Sequence, residues 1–210
     1  MDTIYKSDTK RVFLTFDDGP SPVTSKILDI LKQENVKATF FILGSNVDSR
    51  KDVVKRMYEE GHYLANHGYS HTYSKIYSSP QSVLDEYNEC NDKVKNAIEV
   101  PDYNSHLFRF PGGLAGGKYT EIKKEAKELL LQNNIVNVDW NALTGDAETN
   151  NLSVEFEMTR LTETMESKNS LVILMHDAAA KSVTADALPQ IIAKLKEEGY
   201  EFKNFYDIIK

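Results

Sequence analysis

The sequence predicts an α/β fold in which parallel strands form a closed or nearly closed barrel covered by helices. Three observations support this prediction. Strand-like and helix-like segments alternate along the chain, the strands are continuously apolar, and six or seven such units fit within 210 residues. A doubly wound open sheet has the same alternation and is the alternative.

The elements follow from the spacing of apolar residues and from turn residues. The first strand covers residues 12–16 and ends at Asp17 and Asp18, before the turn at Gly19-Pro20. Further strands are predicted over 38–43, 63–66, 106–110, 135–138 and 171–175, with a last one around 200–202. Helices are predicted over 25–34, 48–60, 80–98, 120–132, 152–167 and 189–198.

Composition limits the classes of partner. The chain is 40% hydrophobic and 27% charged, which is typical of a globular protein, and its net charge is −7. A net negative charge argues against nucleic acid or an anionic membrane as the main partner. No apolar run approaches the length of a transmembrane helix.

The length and the N-terminus lead to expectations about organisation and location. We expect one domain over residues 1–210, and a monomer, because nothing in the chain resembles a linker or a repeat. The first residues lack the apolar core of a signal peptide, so the chain is either cytosolic or the trimmed domain of an exported, wall-facing protein. Cys90 is the single cysteine, which excludes intrachain disulfides and indicates a packing role.

Ionisable side chains follow five of the predicted strands at the point where each strand ends. In parallel α/β folds these ends converge on one face, where ligands bind and catalysis occurs. Charged residues needed only for solubility would instead lie on the helix faces. The residues at strand ends are Asp17 and Asp18, His67, Arg109, Asp139 with Trp140, and His176 with Asp177.

The histidines at 67 and 71 are candidate metal ligands. Their spacing brings both rings to one side if the segment forms a helical turn. Two imidazoles with one strand-end carboxylate leave open coordination positions, as in catalytic zinc sites. Non-haem iron accepts the same ligands, so the ligand set alone leaves the metal open.

Three other strand-end residues have two interpretations each. Arg109 pairs either with a surface acid or with Asp17, whose carboxylate it would keep ionised. Trp140 is either a core residue or a stacking surface for a substrate. His176 follows the most apolar strand and suits an acid or a base that titrates near neutrality.

In this order, the segments resemble the polysaccharide deacetylases of carbohydrate esterase family 4, from about Arg11 to Ile209. The resemblance is carried by Thr-Phe-Asp-Asp-Gly-Pro at 15–20, the histidine pair at 67–71, Arg-Phe-Pro at 109–111, Asp-Trp at 139–140 and Leu-Met-His-Asp at 174–177. It implies a distorted (β/α) barrel with seven or eight parallel strands. The implied activity is metal-dependent removal of acetyl groups, N-acetyl above all, from a glycan such as peptidoglycan or a chitin-type polymer.

The resemblance also implies a role for each motif residue. Asp17 would be the catalytic base, Arg109 would orient it, and His176 would be the general acid. Asp18, His67 and His71 would bind a divalent metal, with zinc expected and cobalt, nickel or iron as alternatives. The residues expected to contact the acetylated glycan are Leu174 at the acetyl methyl group, Trp140, Asp139 and Gly112, whose backbone region would stabilise the oxyanion.

Three positions depart from the family pattern. Gly68 stands where Ser or Thr usually follows the first histidine, and Gly112 stands where a tyrosine is common, which would widen the groove. Leu143 occupies the position of an aspartate that tunes the acid histidine. Asp139 or Asp146 is then left as the partner of His176.

Two rival functions follow from these residues. A catalytically silent sugar-binding domain is favoured only by Leu143. An iron-dependent oxygenase would use the same ligand set, but the alternation of strands and helices argues against it, because those enzymes usually occupy all-β barrels.

Overall fold

Within residues 2–209, the sheet consists of eight short strands whose pairings are all parallel. A computed structural model describes residues 2–209 of the chain. In chain order the strands are β1 (Arg11–Asp17), β2 (Thr39–Ile42), β3 (Tyr63–Asn66), β4 (Leu107–Phe108), β5 (Val136–Asn137), β6 (Ala142–Leu143), β7 (Ser170–His176) and β8 (Glu201–Lys203).

Helices connect most consecutive strands and cover the outside of the sheet. Several begin with an N-cap hydroxyl; Ser21, for example, accepts a hydrogen bond from the Val23 N–H. In chain order the helices are α1 (Pro22–Glu34), α2 (Gly44–Val47), α3 (Lys51–Glu59), α4 (Tyr73–Ile76), α5 (Pro80–Ile98), α6 (Thr120–Gln132), α7 (Val154–Met165) and α8 (Ser182–Glu197). None of them, within residues 2–209, is both long and apolar enough for a membrane crossing.

The strand order is β5-β4-β3-β2-β1-β7-β6, and β8 pairs with β1. Two strands pair with the same edge of β1. β8 pairs with it at Arg11–Phe13, and β2 pairs with it at Thr15–Asp17. No pairing joins β5 to β6 within the described residues, so the barrel is curled but not closed. The prediction of a distorted (β/α) barrel is confirmed, and the doubly wound alternative is wrong.

Alternate residues of β1 face opposite sides of the sheet. Val12, Leu14 and Phe16 pack in the main core beneath the helices, together with Cys90, which is buried as expected. Phe13 belongs to a separate cluster inside the barrel. The period of two in a strand therefore turns Thr15 and Asp17 toward the barrel interior, at the carboxyl end of the sheet.

Several predicted strands are shorter in the structure. The prediction over 106–110 reduces to β4, and the prediction over 135–138 reduces to β5. Only two residues of each strand pair in the ladder between β4 and β5 before the chain turns into loops. The two-residue strand β6 was not predicted, since its length provides no recognisable periodicity.

The helix boundaries also differ. The prediction that the last helix begins at Pro189 is wrong, because α8 starts at Ser182 and contains Pro189 in its interior. A proline inside a helix costs about 3 kcal/mol. Six buried aliphatic residues of α8 offset that cost by packing in the main core: Ala185, Ala187, Leu188, Ile191, Ile192 and Leu195. The short helices α2 and α4 were not predicted, and the helix expected over 48–60 begins with a 3₁₀ turn at Asp48–Arg50 before α3.

Candidate active site

The predicted site residues converge on one depression of about 370 Å³ at the carboxyl ends of the strands. Its lining includes eight residues singled out from the sequence: Asp17, Asp18, His67, His71, Gly112, Trp140, Leu174 and His176. Tyr73, Ala147 and Lys181 also line it and were not predicted. Asp139 lies outside it, in a neighbouring depression that shares Trp140.

Arg109 lies beneath the depression with a fully buried side chain. Its Nη1 donates to Asp17 Oδ1 at 2.7 Å and to Thr15 Oγ1 at 2.8 Å. Its Nε and Nη2 donate to the carbonyls of Val138 and Asp139 at 2.9 and 3.0 Å. The structure therefore pairs Arg109 with Asp17 and not with a surface acid.

The Asp17 carboxylate is almost fully buried, with 2% of the residue exposed. Burial raises its pKa above the ordinary 3.8, and the positive charges of Arg109 and His176 oppose that rise. A carboxylate with a raised pKa accepts a proton more readily than an ordinary aspartate. The hydrogen bond from Arg109 to one oxygen leaves Oδ2 directed toward His67, whose Nε2 lies 3.8 Å away.

Asp18, His67 and His71 form a candidate metal centre. The Nε2 atoms of both histidines lie 3.6 and 3.5 Å from Asp18 Oδ1, and one donor atom from each residue lies within 4.8 Å of the others. Asp18 Oδ1 is itself buried and has no hydrogen-bond donor among the described residues. An acceptor without a partner between two imidazole nitrogens fits a bound cation.

The tautomer of His67 suits metal binding. Its Nδ1 donates to the carbonyl of Arg109 at 2.7 Å, and a carbonyl can only accept, so Nδ1 carries the proton. The lone pair is then on Nε2, which faces Asp18. Burial lowers the pKa of His67 to about 3 and so keeps the ring neutral. A neutral imidazole whose other nitrogen is hydrogen-bonded is the usual form of a metal-ligating histidine.

The segment that carries the two histidines is a loop, so the expected helical turn is absent. Glu86 of α5 holds this loop, and sequence reasoning missed it. Its Oε2 accepts from the backbone N–H groups of Tyr69 and Ser70 at 2.9 and 2.8 Å, and its Oε1 accepts from Ser70 Oγ. The available signal was an acidic residue within the apolar stripe of the predicted helix over 80–98.

Gly68 departs from the family pattern because its backbone is left-handed, with φ of +85°. A Cβ at this position would also lie 2.9 Å from Ile76 Cδ1. Ser or Thr would therefore be strained here, and glycine is the residue that lets the loop bring His71 back toward His67.

The partner of His176 is Asp146. Asp146 Oδ1 lies 2.8 Å from His176 Nδ1, and Oδ2 accepts from the His176 backbone N–H at 2.7 Å. Burial alone would lower the pKa of His176, but the Asp146 carboxylate and the charges of Asp17 and Asp18 raise it to about 9. Asp146 thus holds the place that the aspartate expected at Leu143 would have taken.

Asp139, considered as a substitute partner, has a different position. Its Oδ2 accepts from the Leu114 N–H at 3.1 Å, in the loop that follows Arg109. The carbonyls of Val138 and Asp139 accept from Arg109. Asp139 lies outside the depression that contains His176 and lines the neighbouring one. Its contact with a substrate stays a prediction.

Gly112 does not widen the site as expected, because Tyr73 fills the space. A Cβ on Gly112 would lie 2.5 Å from Tyr73 Oη, and the backbone φ is +74°. The Tyr73 ring also lies against His71, with ring centroids 5.6 Å apart. A tyrosine from another segment therefore stands where the family pattern has one after the proline.

We predict that Asp146→Asn lowers the pKa of His176. The variant loses the negative charge that favours the imidazolium, while the burial that disfavours it remains. The midpoint should fall from about 9 toward the ordinary value of about 6.5 or below. An NMR titration of the His176 ring measures this. Asp139→Asn is the matched control and should leave the midpoint in place; equal shifts in both variants would contradict the assignment.

We predict that Gly112→Ala lowers the free energy of unfolding by about 1–3 kcal/mol, because left-handed backbone and the contact with Tyr73 are both unfavourable. Tyr73→Phe removes the Oη atom and should restore part of the loss when combined with Gly112→Ala. Chemical denaturation of the two single variants and the double variant measures the coupling. Strictly additive losses would show that Tyr73 and Gly112 do not interact.

Comparison with known proteins places the chain in a family. A family model for polysaccharide deacetylases matches residues 5–132. The chain is 38% identical over 200 residues to YheN of Bacillus subtilis, whose name ascribes it to the polysaccharide deacetylases, covering 92% of the chain and 66% of YheN. It is 34% identical to a peptidoglycan-N-acetylglucosamine deacetylase of Bacillus cereus, covering 95% of the chain and 71% of that protein.

A solved structure agrees in fold as well as in sequence. The CE4 esterase of Streptococcus mutans superposes with a TM-score of 0.88 at 35% identity, covering 97% of this chain and 90% of that one. Fold and motif order therefore point to the same conclusion. The chain belongs to the polysaccharide deacetylases of carbohydrate esterase family 4.

Proposed function

We propose that this chain is a metal-dependent hydrolase that removes N-acetyl groups from a glycan containing N-acetylglucosamine, with peptidoglycan as the favoured polymer. The observation that carries the proposal is a single depression in which a candidate metal triad lies between the pairs Asp17–Arg109 and His176–Asp146. The Bacillus cereus relative, named for removal of acetyl groups from peptidoglycan N-acetylglucosamine, supports the choice of substrate.

Asp18, His67 and His71 would hold the metal. Two nitrogens and one oxygen are typical of catalytic zinc, and cobalt, nickel or iron accept the same donors. When bound, a divalent cation polarises the acetyl carbonyl and lowers the pKa of water. The buried Asp18 Oδ1, which has no donor within residues 2–209, is the feature that best fits this group.

Asp17 would act as the general base. Arg109 holds Oδ1, so Oδ2 is the oxygen free to take the proton of the attacking water. Burial supplies the raised pKa, and the fixed hydrogen bond from Arg109 prevents the carboxylate from rotating out of position.

His176 would act as the general acid. Amide hydrolysis needs this step because an amine anion leaves poorly, and His176 Nε2 can pass its proton to the leaving nitrogen. Asp146 keeps the ring protonated at neutral pH and fixes it through Nδ1. The silent sugar-binding alternative loses its support here, because Asp146 supplies the carboxylate whose loss at Leu143 had favoured it.

The remaining lining residues would bind the acetylated sugar. Leu174 lies on β7 two residues before His176 and is an apolar contact for the acetyl methyl group. Trp140 offers a half-buried ring for a sugar face. The Gly113 N–H is bonded to the Phe110 carbonyl, which leaves the Gly112 N–H as the backbone donor for the oxyanion.

Acetate release from chitotetraose and from peptidoglycan fragments tests the proposed function. We expect release that is lost after chelation and restored by zinc, because the proposed mechanism needs a cation to polarise the acetyl carbonyl. Adding cobalt, nickel or iron to the chelated protein in place of zinc ranks the metals by the rate of acetate release that each restores. Release that is indifferent to the chelator would contradict metal dependence, and no release from any acetylated glycan would contradict the deacetylase itself.

Asp17→Asn should lower kcat by about 10²–10⁴-fold, because the amide keeps the shape of the side chain but cannot accept a proton. Metal content, measured by mass spectrometry after dialysis, should stay at the wild-type level since Asp17 is not among the three proposed ligands. Asp29→Asn, on the outer helix α1, is the matched control. Turnover near that of the control would remove Asp17 from the base role.

A further inference from the structure

A second depression of about 420 Å³ adjoins the candidate metal centre. Two proposed metal ligands, Asp18 and His71, line both this depression and the one that holds His176. Its volume falls in the range of about 300–1,000 Å³ that small-molecule sites occupy. The groove therefore continues on both sides of the triad, and a polymer can cross it with sugars on either side of the acetyl group that reacts.

The lining of the second depression suits a sugar. Asn46 and Ser49 offer polar side chains, while Leu43 and Ala178 offer apolar ones. A pyranose presents hydroxyl groups at its rim and C–H groups on its faces, so a mixed lining of this kind matches both.

Arg50 gives this depression a charge. It is half-buried at the start of α3 and lines the groove. Among the arginines of residues 2–209 it alone has no hydrogen bond or ion pair; the others, Arg11, Arg56, Arg109 and Arg160, are all bonded. The nearby acid Asp48 pairs with Lys51 and Lys93 instead.

A guanidinium with all its donors unused matches the two oxygens of a carboxylate. In a chain with a net charge of −7, such a group beside the reaction centre also offsets the repulsion that an anionic substrate would meet. Neutral glycans such as chitin provide no partner for it.

We propose that the second depression binds the sugar next to the one that is deacetylated, and that Arg50 pairs there with a carboxylate carried by that sugar. This inference rests on the proposed function and narrows its substrate class to glycans that bear carboxylates. The lactyl group of an alternating peptidoglycan strand has that chemistry where its carboxylate is not joined to a stem peptide, and a chitin-type polymer lacks it.

Three tetrasaccharides of equal length test the proposal: neutral chitotetraose, an alternating tetramer with free lactyl carboxylates, and the same tetramer with those carboxylates converted to methylamides. The enzyme is the zinc-loaded full chain, and kcat and KM are measured separately from acetate release. Arg50→Gln removes the charge. Lys6→Gln is the matched control, because Lys6 is exposed and precedes β1, at the opposite end of the sheet.

We expect Arg50→Gln to lower kcat/KM on the carboxylated tetramer by about tenfold, mainly through KM, as for a partly exposed charge-assisted hydrogen bond. For the wild type, kcat/KM should be lower on the amidated tetramer than on the carboxylated one by a similar factor. Arg50→Gln should hydrolyse these two tetramers with the same kcat/KM. Chitotetraose should be hydrolysed equally by both, and Lys6→Gln should match the wild type throughout.

An equal effect of Arg50→Gln on all three substrates, or no effect on any, would overturn the role of Arg50. Wild-type hydrolysis of chitotetraose with none of the carboxylated tetramer would overturn the substrate class while leaving the deacetylase intact. Hydrolysis of none of the three by the wild type would instead count against the proposed function.

Discussion

The buried guanidinium of Arg109 is the interaction on which the rest of the site depends. A charged side chain with no exposed surface is stable only if its hydrogen bonds are satisfied, and four bonds within the barrel do this. Those bonds connect β1, β4 and the chain that follows β5. The carbonyl of the same residue accepts from His67 Nδ1. One residue therefore orients the proposed base and also sets the tautomer of a proposed ligand.

The candidate metal centre is built on unfavourable backbone. Asp18 and His71 have φ values of 77° and 52°, a left-handed conformation that costs of the order of 1–3 kcal/mol for a residue other than glycine. Asn46 Nδ2 holds the Asp18 carbonyl at 3.0 Å, and Glu86 holds the loop before His71. These hydrogen bonds hold the three proposed ligand atoms close to one another, so binding of a cation needs little reorganisation.

The proposed base, Asp17, and the proposed acid, His176, lie in opposite environments. Asp17 lies in a buried position that raises its pKa, which strengthens it as a proton acceptor. His176 has a carboxylate on Nδ1 that outweighs its burial and raises its pKa to about 9, which keeps it a proton donor at neutral pH. The mechanism proposed above requires Asp17 deprotonated and His176 protonated at the same pH, and the charges of Arg109 and Asp146 favour these two forms.

The sequence by itself determined the fold class and predicted the residues of the candidate site. Apolar strands alternating with amphipathic helices predicted the barrel, and the ionisable residues at strand ends predicted Asp17, Asp18, His67, Arg109 and His176, because parallel strands bring their carboxyl ends to one face. Tertiary structure alone decided the contacts that span long distances in the chain. Asp146 reaches His176, Glu86 holds the histidine loop, Tyr73 fills the space above Gly112, and Arg50 faces the groove. These pairs depend on how loops fold over the sheet, and local periodicity carries no information about that.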